Sequence, residues 1–194
     1  MIAAQDVKNL RDRTGASMMQ CKKALEESSG DIEGAIKIMQ KSGSKVADKK
    51  CGRGMAEGYI GSYIHSNGKV GVLVEINCET DFVARNEEFR EFAHDLAMHV
   101  AATGPKYIDY SDIDPEEMKN KKEELKEEVK KENKPEDIAE KIVEGKIKKY
   151  FNEVCLLTQS FVKDTDLTIE QLITEKIAKL GENIKVKNIV RFEI

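Results

Sequence analysis

Residues Val70 to Asn86 read VGVLVEINCETDFVARN, and this run decides the fold. Its first half carries an apolar side chain on every second residue, Val70, Val72, Val74, Ile76 and Cys78, and a period of two places them on one face of a sheet. The alternation stops at Glu79, Thr80 and Asp81. Phe82 follows, and from Phe89 the apolar residues Phe89, Phe92, Ala93, Leu96, Ala97 and Val100 recur at helical spacing. A strand therefore hands over to a helix, predicted over 86–102, through Thr80-Asp81-Phe82-Val83. Periodicity alone reads Phe82 as a core residue, because it lies seven places before Phe89, in register with the buried stripe. The other reading is a binding group on a loop held between rigid elements. Asp81 taken by itself is an ordinary solvated or capping residue.

Working outward, Tyr59 to His65 reads as a strand, and Ser66-Asn67-Gly68-Lys69 supplies a tight turn into the central strand. At the far end, Ile184, Val186, Val190, Phe192 and Ile194 share one parity around a polar Asn188, which predicts a third antiparallel strand. The helix over 86–102 is expected to pack across this sheet. Its His94 and His99 are five apart, a spacing that does not bring two imidazoles onto one metal. His99 flanks the apolar stripe and reads as a boundary residue.

Residues 2–42 read as three short helices. Val7 and Leu10 sit on the first, Thr14-Gly15-Ala16 breaks it, and Ser17 can cap a second bearing Met18, Met19, Cys21, Ala24 and Leu25. Gly30 ends that helix and Asp31 caps a third with Ile32, Ala35, Ile36 and Met39 on one face. Adjacent Met18 and Met19 point about 100° apart on a helix and cannot both centre one stripe. A core-and-rim pair is the ordinary outcome, and an adaptable binding surface is the other. From Lys41 to Gly58 the chain is rich in Gly, Ser and Lys and reads as a linker, with a helical extension around Val46. Its Gly52-Arg53-Gly54-Met55-Ala56-Glu57-Gly58 has its third glycine one place too late for a dinucleotide loop and follows no strand.

After Gly104-Pro105 and Tyr107 to Ile113 comes a charged run, Asp114 to Glu132, in which alternating Lys and Glu leave only Met118, Leu125 and Val129 as an apolar seam. Asn133-Lys134-Pro135 interrupts it. A second helix from about Glu136 carries Ile138, Ile142, Val143, Ile147, Tyr150 and Phe151, so the two pair as a projecting hairpin. Cys155-Leu156-Leu157 and Phe161-Val162 return the chain to the core, and Thr168 with Gln171 caps a last helix closed by Gly181. The fold class is thus α+β: an N-terminal three-helix bundle with linker over 1–50, then a core over 51–194 in which a three-stranded antiparallel sheet packs with helices around an excursion at about 114–152.

Composition narrows the function. The 194 residues carry a formal charge of −4, with 35% charged and 6% aromatic residues and no Trp, which argues against a whole-protein electrostatic grip on nucleic acid. No apolar run reaches the length of a membrane span and the start lacks a signal peptide's regions, so a soluble cytoplasmic protein is expected. Cys21, Cys51, Cys78 and Cys155 form no close pair, and each reads as a small buried hydrophobe rather than a zinc or redox ligand. No phosphate loop, nucleophile elbow or paired metal-ligand motif is present, so neither an enzyme nor a cofactor is expected.

The run Glu75-Ile76-Asn77-Cys78-Glu79-Thr80-Asp81-Phe82-Val83-Ala84-Arg85 resembles the signature of the bacterial elongation factor Ts (EF-Ts) family, nucleotide-exchange factors of the translation GTPase EF-Tu. Leu10-Arg11-Asp12-Arg13-Thr14-Gly15-Ala16-Ser17-Met18-Met19-Gln20-Cys21-Lys22-Lys23-Ala24-Leu25 and the stretch from Ile142 to Lys146 through Phe161 to Asp164 match it in the same order. Where the family motif has Gly and often Asp, this chain has Ser17 and Gln20, and Ser160 stands where many relatives have Pro. The resemblance implies a UBA-like N-terminal bundle and a short form with one core unit. It implies that Thr80, Asp81, Phe82 and Val83 disturb the Mg²⁺ site of EF-Tu, with Phe82 as the wedge, and that Arg11, Met18, Met19 and His99 contact EF-Tu. A homodimer bound to two EF-Tu molecules is a further expectation, with no direct nucleic acid or membrane contact. The rival reading is a UBA-type module for ubiquitin or nascent chains on a dimerisation scaffold. A third is a hydrolase built on Cys78.

Overall fold

A computed structural model describes residues 2–14, 16–130 and 136–194, with backbone alone at 136 and 137. In chain order the elements are α1 (Ala4–Thr14), α2 (Met18–Glu27), α3 (Ile32–Lys50), β1 (Glu57–Ile64), β2 (Val70–Cys78), α4 (Asp81–Arg85), α5 (Glu87–Thr103), α6 (Pro115–Lys130), α7 (Glu136–Val154), β3 (Ser160–Phe161), β4 (Asp164–Thr168), α8 (Ile169–Leu180) and β5 (Ile184–Glu193). The protein is α+β. β1, β2 and β5 form the expected three-stranded antiparallel sheet with β2 at its centre, and β3 pairs with β4 in a separate antiparallel hairpin. The chain divides into two compact units. One comprises Met1–Tyr59, Ile76–Arg90 and Gln171–Lys185, the other Ile60–Glu75, Glu91–Glu170 and Val186–Ile194.

In the first unit the N-terminal helices close over Val7, Leu10, Cys21, Ala24, Leu25 and Ala35, with Ile32, Ile36 and Met39 packed alongside. The caps follow the sequence. Ser17 accepts the Gln20 amide at 3.3 Å and the Gln20 side chain accepts the Ser17 amide at 3.0 Å, a reciprocal box that occupies two of the helix's free donors. Ser17 and Gln20 are therefore partners. Asp31 caps α3 through the Gly34 amide at 3.0 Å. The expected breaks at Gly15 and at Asn133-Lys134-Pro135 lie outside the described residues. The linker expectation changes here: residues 41–50 continue α3 as helix, and the extension around Val46 is the form they take. Gly43 is where α8 docks, since a Cβ there would touch Thr174 Cγ2 at 3.6 Å and Ala178 Cβ at 3.7 Å. Its smallness serves close helix packing rather than flexibility. The Lys50 ammonium donates to the Gly181 carbonyl, and Lys176 and Lys179 both reach the Glu88 carboxylate, at 2.8 and 2.7 Å.

In the second unit, α5 lies on one face of the sheet. A Cβ on Gly61 would fall 2.5 Å from the Ala93 carbonyl oxygen, so β1 can approach the helix backbone only because this residue has no side chain. Tyr63 meets His94 edge-on, and Arg191 donates to the Ala101 carbonyl. The sheet's alternation then turns Ile60, Ile64, Leu73, Val190 and Phe192 the other way, and all five are exposed. The single parity read along the last strand does not keep one environment: Ile184 and Val186 are buried, whereas Val190, Phe192 and Ile194 are not. α6 and α7 form the excursion as an antiparallel pair. Met118, near the start of α6, packs against the cluster of Ile113, Phe151 and Cys155, while Val129, near its end, clusters with Leu125 and Val143. Lys121 sits 4.9 Å from the centre of the Tyr150 ring, covering the seam. Three of the four cysteines are buried as expected, and Cys51, beyond the last turn of α3, is exposed.

Candidate functional site

β2 delivers the signature. Val72, Val74, Ile76 and Cys78 are buried, so the strand is anchored up to its last residue. The Cys78 thiol donates to the Thr80 carbonyl at 3.2 Å, and burial pushes its pKa up to about 11. A thiol held protonated at neutral pH lacks the nucleophile that a Cys78 hydrolase would use. Thr80 is extended (φ −129°, ψ 157°) and begins the five-residue helix α4. This short helix buries Ala84, pairs Asp81 with Arg85 at 3.2 Å, and stops at Asn86, whose ψ of 132° is extended.

That stop decides what Phe82 is. Asn86 ends α4 and its side chain accepts the Glu88 amide at 2.8 Å, so a new helix starts with its own rotational phase. The seven-residue register between Phe82 and Phe89 is broken. Phe89 is fully buried, while Phe82 is 82% exposed. The core reading of Phe82 from periodicity is thereby corrected.

Behind the turn lies a polar network that the sequence reading did not find. Glu182 Oε2 accepts the backbone N–H groups of Glu79 at 3.1 Å and Thr80 at 3.0 Å, and its Oε1 accepts the Thr80 hydroxyl at 2.6 Å. Glu79 answers in the opposite sense. Its carboxylate accepts the Asn183 N–H at 2.7 Å and pairs with Arg53 at 3.4 Å. The Asn183 N–H, then Arg53, hold the Glu79 carboxyl below its ordinary value. The Asn183 side chain is buried and donates to the carbonyls of Cys51 and Arg53 at 3.4 and 3.3 Å. In sequence, the only signal was a pair of polar residues between a helix-ending glycine and a strand.

Of the remaining sequence candidates, Arg11, Met18 and Met19 are all exposed on α1 and the first turn of α2, within the same unit as the turn. Both methionines lie outside the bundle core, and Met19 is 76% exposed, so neither is the core member of a core-and-rim pair. His99 belongs to the other unit and is 0% exposed. Its Nε2 faces Gln159 Oε1 at 2.9 Å, the Thr103 hydroxyl donates to the same oxygen at 2.9 Å, and the ring lies against Phe161. With an acceptor on Nε2, that nitrogen carries the proton. Nδ1 then has no hydrogen-bond partner among the described residues. Burial lowers the His99 pKa. Covered on all sides, this ring presents no surface, so the boundary reading of His99 gives way to a core position at the C-terminal part of α5. Among the described residues no group of three or more His, Cys, Asp or Glu could hold a metal, and no helix is long and apolar enough to cross a membrane.

The family described as Elongation factor TS matches residues 3–194 of this chain. The Elongation factor Ts of Thermodesulfovibrio yellowstonii is 54% identical over 193 residues, covering 100% of this chain and 96% of that protein. That of Acetivibrio thermocellus is 53% identical over 193 residues, with 100% and 90% covered, and that of Carboxydothermus hydrogenoformans 52% over 194, with 100% and 89%. With a match that runs through the bundle, the exposed Phe82 turn and the last strand, the chain belongs to the elongation factor Ts family.

Proposed function

We propose that this protein is the guanine-nucleotide exchange factor of translation elongation: it binds EF-Tu·GDP, displaces the partner's Mg²⁺ and phosphate-binding elements through Thr80, Asp81, Phe82 and Val83, and releases GDP so that GTP can bind. The observation that carries this reading is a phenylalanine 82% exposed at the tip of a turn tied down from behind. A large ring held in water is unfavourable for the free protein and favourable once a partner's apolar pocket takes it. Burying a Phe yields roughly 1.5–3 kcal/mol. If that burial is available only when the switch segment of EF-Tu is displaced, the same free energy weakens nucleotide binding, by roughly tenfold to a hundredfold. Loss of the Mg²⁺ bridge exposes the diphosphate charge and speeds departure of GDP. No covalent step is required of this chain.

In this reading residues 1–50 form the recognition module, in which exposed Arg11, Met18 and Met19 meet the G domain, and 51–194 form the exchange core. His99, being buried, acts at the partner surface through the α5 end that it stabilises rather than through its ring. The open apolar sheet face at Ile60, Ile64, Leu73 and Phe192 supports pairing of two copies into a homodimer bound to two EF-Tu molecules. The rival reading, a UBA-type module on a scaffold, gives the exposed Phe82 no task. Phe82→Ala is expected to slow GDP release from EF-Tu at least about tenfold with the melting temperature unchanged, because an exposed ring contributes little to the fold. Stopped-flow release of a fluorescent GDP analogue measures it, and a variant as fast as the native protein refutes the wedge.

A further inference from the structure

We propose that Glu182 is a positioning residue for nucleotide exchange, its carboxylate fixing the entry of the Thr80–Val83 turn so that Phe82 is held for insertion; this rests on the exchange reading above. Thr80 occupies the N-cap of α4, where a threonine normally turns its oxygen onto the free amides of its own helix. Here it makes no such bond. Its hydroxyl is given to Glu182, 102 residues away, and the two consecutive amides of Glu79 and Thr80 converge on the other oxygen of that carboxylate. Two adjacent N–H groups on one charged acceptor fix the orientation of the peptide plane between them.

Among the described residues the turn's other ties are the buried Ala84, the Asp81–Arg85 pair and the bond from Arg90 Nε to the Ala84 carbonyl at 3.5 Å. A helix of five residues has no stability of its own, and Phe82 is too exposed to anchor itself by packing. The other bonds at Thr80 are local, from the Cys78 thiol and the Ala84 amide to its carbonyl. The lock is also two-way, since Glu79 accepts the Asn183 amide at 2.7 Å while Glu182 accepts the Glu79 amide at 3.1 Å. Asn183 ties this cross-bonded pair to the carbonyls of Cys51 and Arg53. A wedge does work on its partner only if its own base does not yield. A turn held in the productive geometry before contact has no ordering to lose at insertion.

The test combines Glu182→Ala, Glu182→Gln and Thr80→Val with Phe82→Ala, in the full chain with EF-Tu loaded with a fluorescent GDP analogue. Glu182→Ala is expected to lower the release rate at saturating factor about tenfold while the half-saturating concentration stays within about twofold, since recognition through the N-terminal module is untouched. Added to Phe82→Ala it should cause no further loss, because both act through one wedge. Glu182→Gln keeps one acceptor oxygen, and Thr80→Val removes only the hydroxyl bond. Both should fall between, and they keep the test open if the alanine variant does not fold. Independently of activity, hydrogen exchange at the Glu79 and Thr80 amides should accelerate in Glu182→Ala. Release as fast as native in Glu182→Ala, or a loss that adds to that of Phe82→Ala, overturns the proposal. If the native protein itself fails to release GDP, the exchange reading falls and the positioning role with it, while the amide measurement still shows whether the clamp holds the turn.

Discussion

Phe82 owes its exposure to the residue four places after it. Had the helix run unbroken to Phe89, the ring would have joined the buried stripe, as the seven-residue spacing implies. Asn86 prevents this by leaving the helical region and restarting the chain as the cap of α5. The signal was in the sequence, an Asn followed by Glu87 and Glu88 as an acidic first turn, but spacing is a longer-range pattern and dominated the reading. Glu182 could not be read in the same way, because its meaning depends on a residue 102 positions away. His99 supplies a prediction at this scale. Burial holds its pKa below the ordinary 6.5, so the unfolded chain takes up this proton at a higher pH than the folded one. The resulting stability is complete above pH 6.5 and falls as the pH drops toward the folded value. Replacing His99 by Gln, which can still donate to Gln159, should flatten the decline in melting temperature between about pH 7 and pH 5.

Among the elements, the most legible were those whose periodicity and caps agree. The alternation of β2, the Ser17 and Asp31 caps and the thin seams of α6 and α7 all appear where the residues place them. What the pattern could not supply was which glycine is flexible and which is a packing contact. Gly43 lies in a Gly, Ser and Lys run and reads as linker, yet it is the point where α3 meets α8. Gly61 is a stricter case, because the obstacle is helix backbone that cannot rotate away. Gly61→Ala is expected to destabilise the fold by about 2 kcal/mol or more, as overpacking against backbone does. Ser17→Ala, which breaks only the capping box, should cost about 1 kcal/mol. Urea denaturation followed by circular dichroism would rank the two, and equal effects would contradict the account of Gly61.

For the whole molecule, binding and exchange are one quantity seen from two sides. A factor that prefers nucleotide-free EF-Tu must weaken GDP binding by the ratio in which GDP weakens its own binding. The proposed exchange role calls for surfaces that gain from contact, and the chain keeps several apolar ones open: Met18 and Met19 on the bundle, Phe82 on the turn, and the sheet face of Ile60, Ile64, Leu73 and Phe192. If the last pairs two copies, Phe192→Asp with Ile64→Asp should convert a dimer to a monomer by light scattering while leaving the Phe82 turn intact. A native protein already monomeric at micromolar concentration would contradict that pairing. The central claim is tested most directly by release of a fluorescent GDP analogue from EF-Tu at fixed Mg²⁺, with and without substoichiometric amounts of this protein. Multiple-turnover acceleration that is lost on changing Phe82 to Ala is the predicted result. Release at the spontaneous rate, or acceleration that the Phe82 variant retains in full, would contradict it.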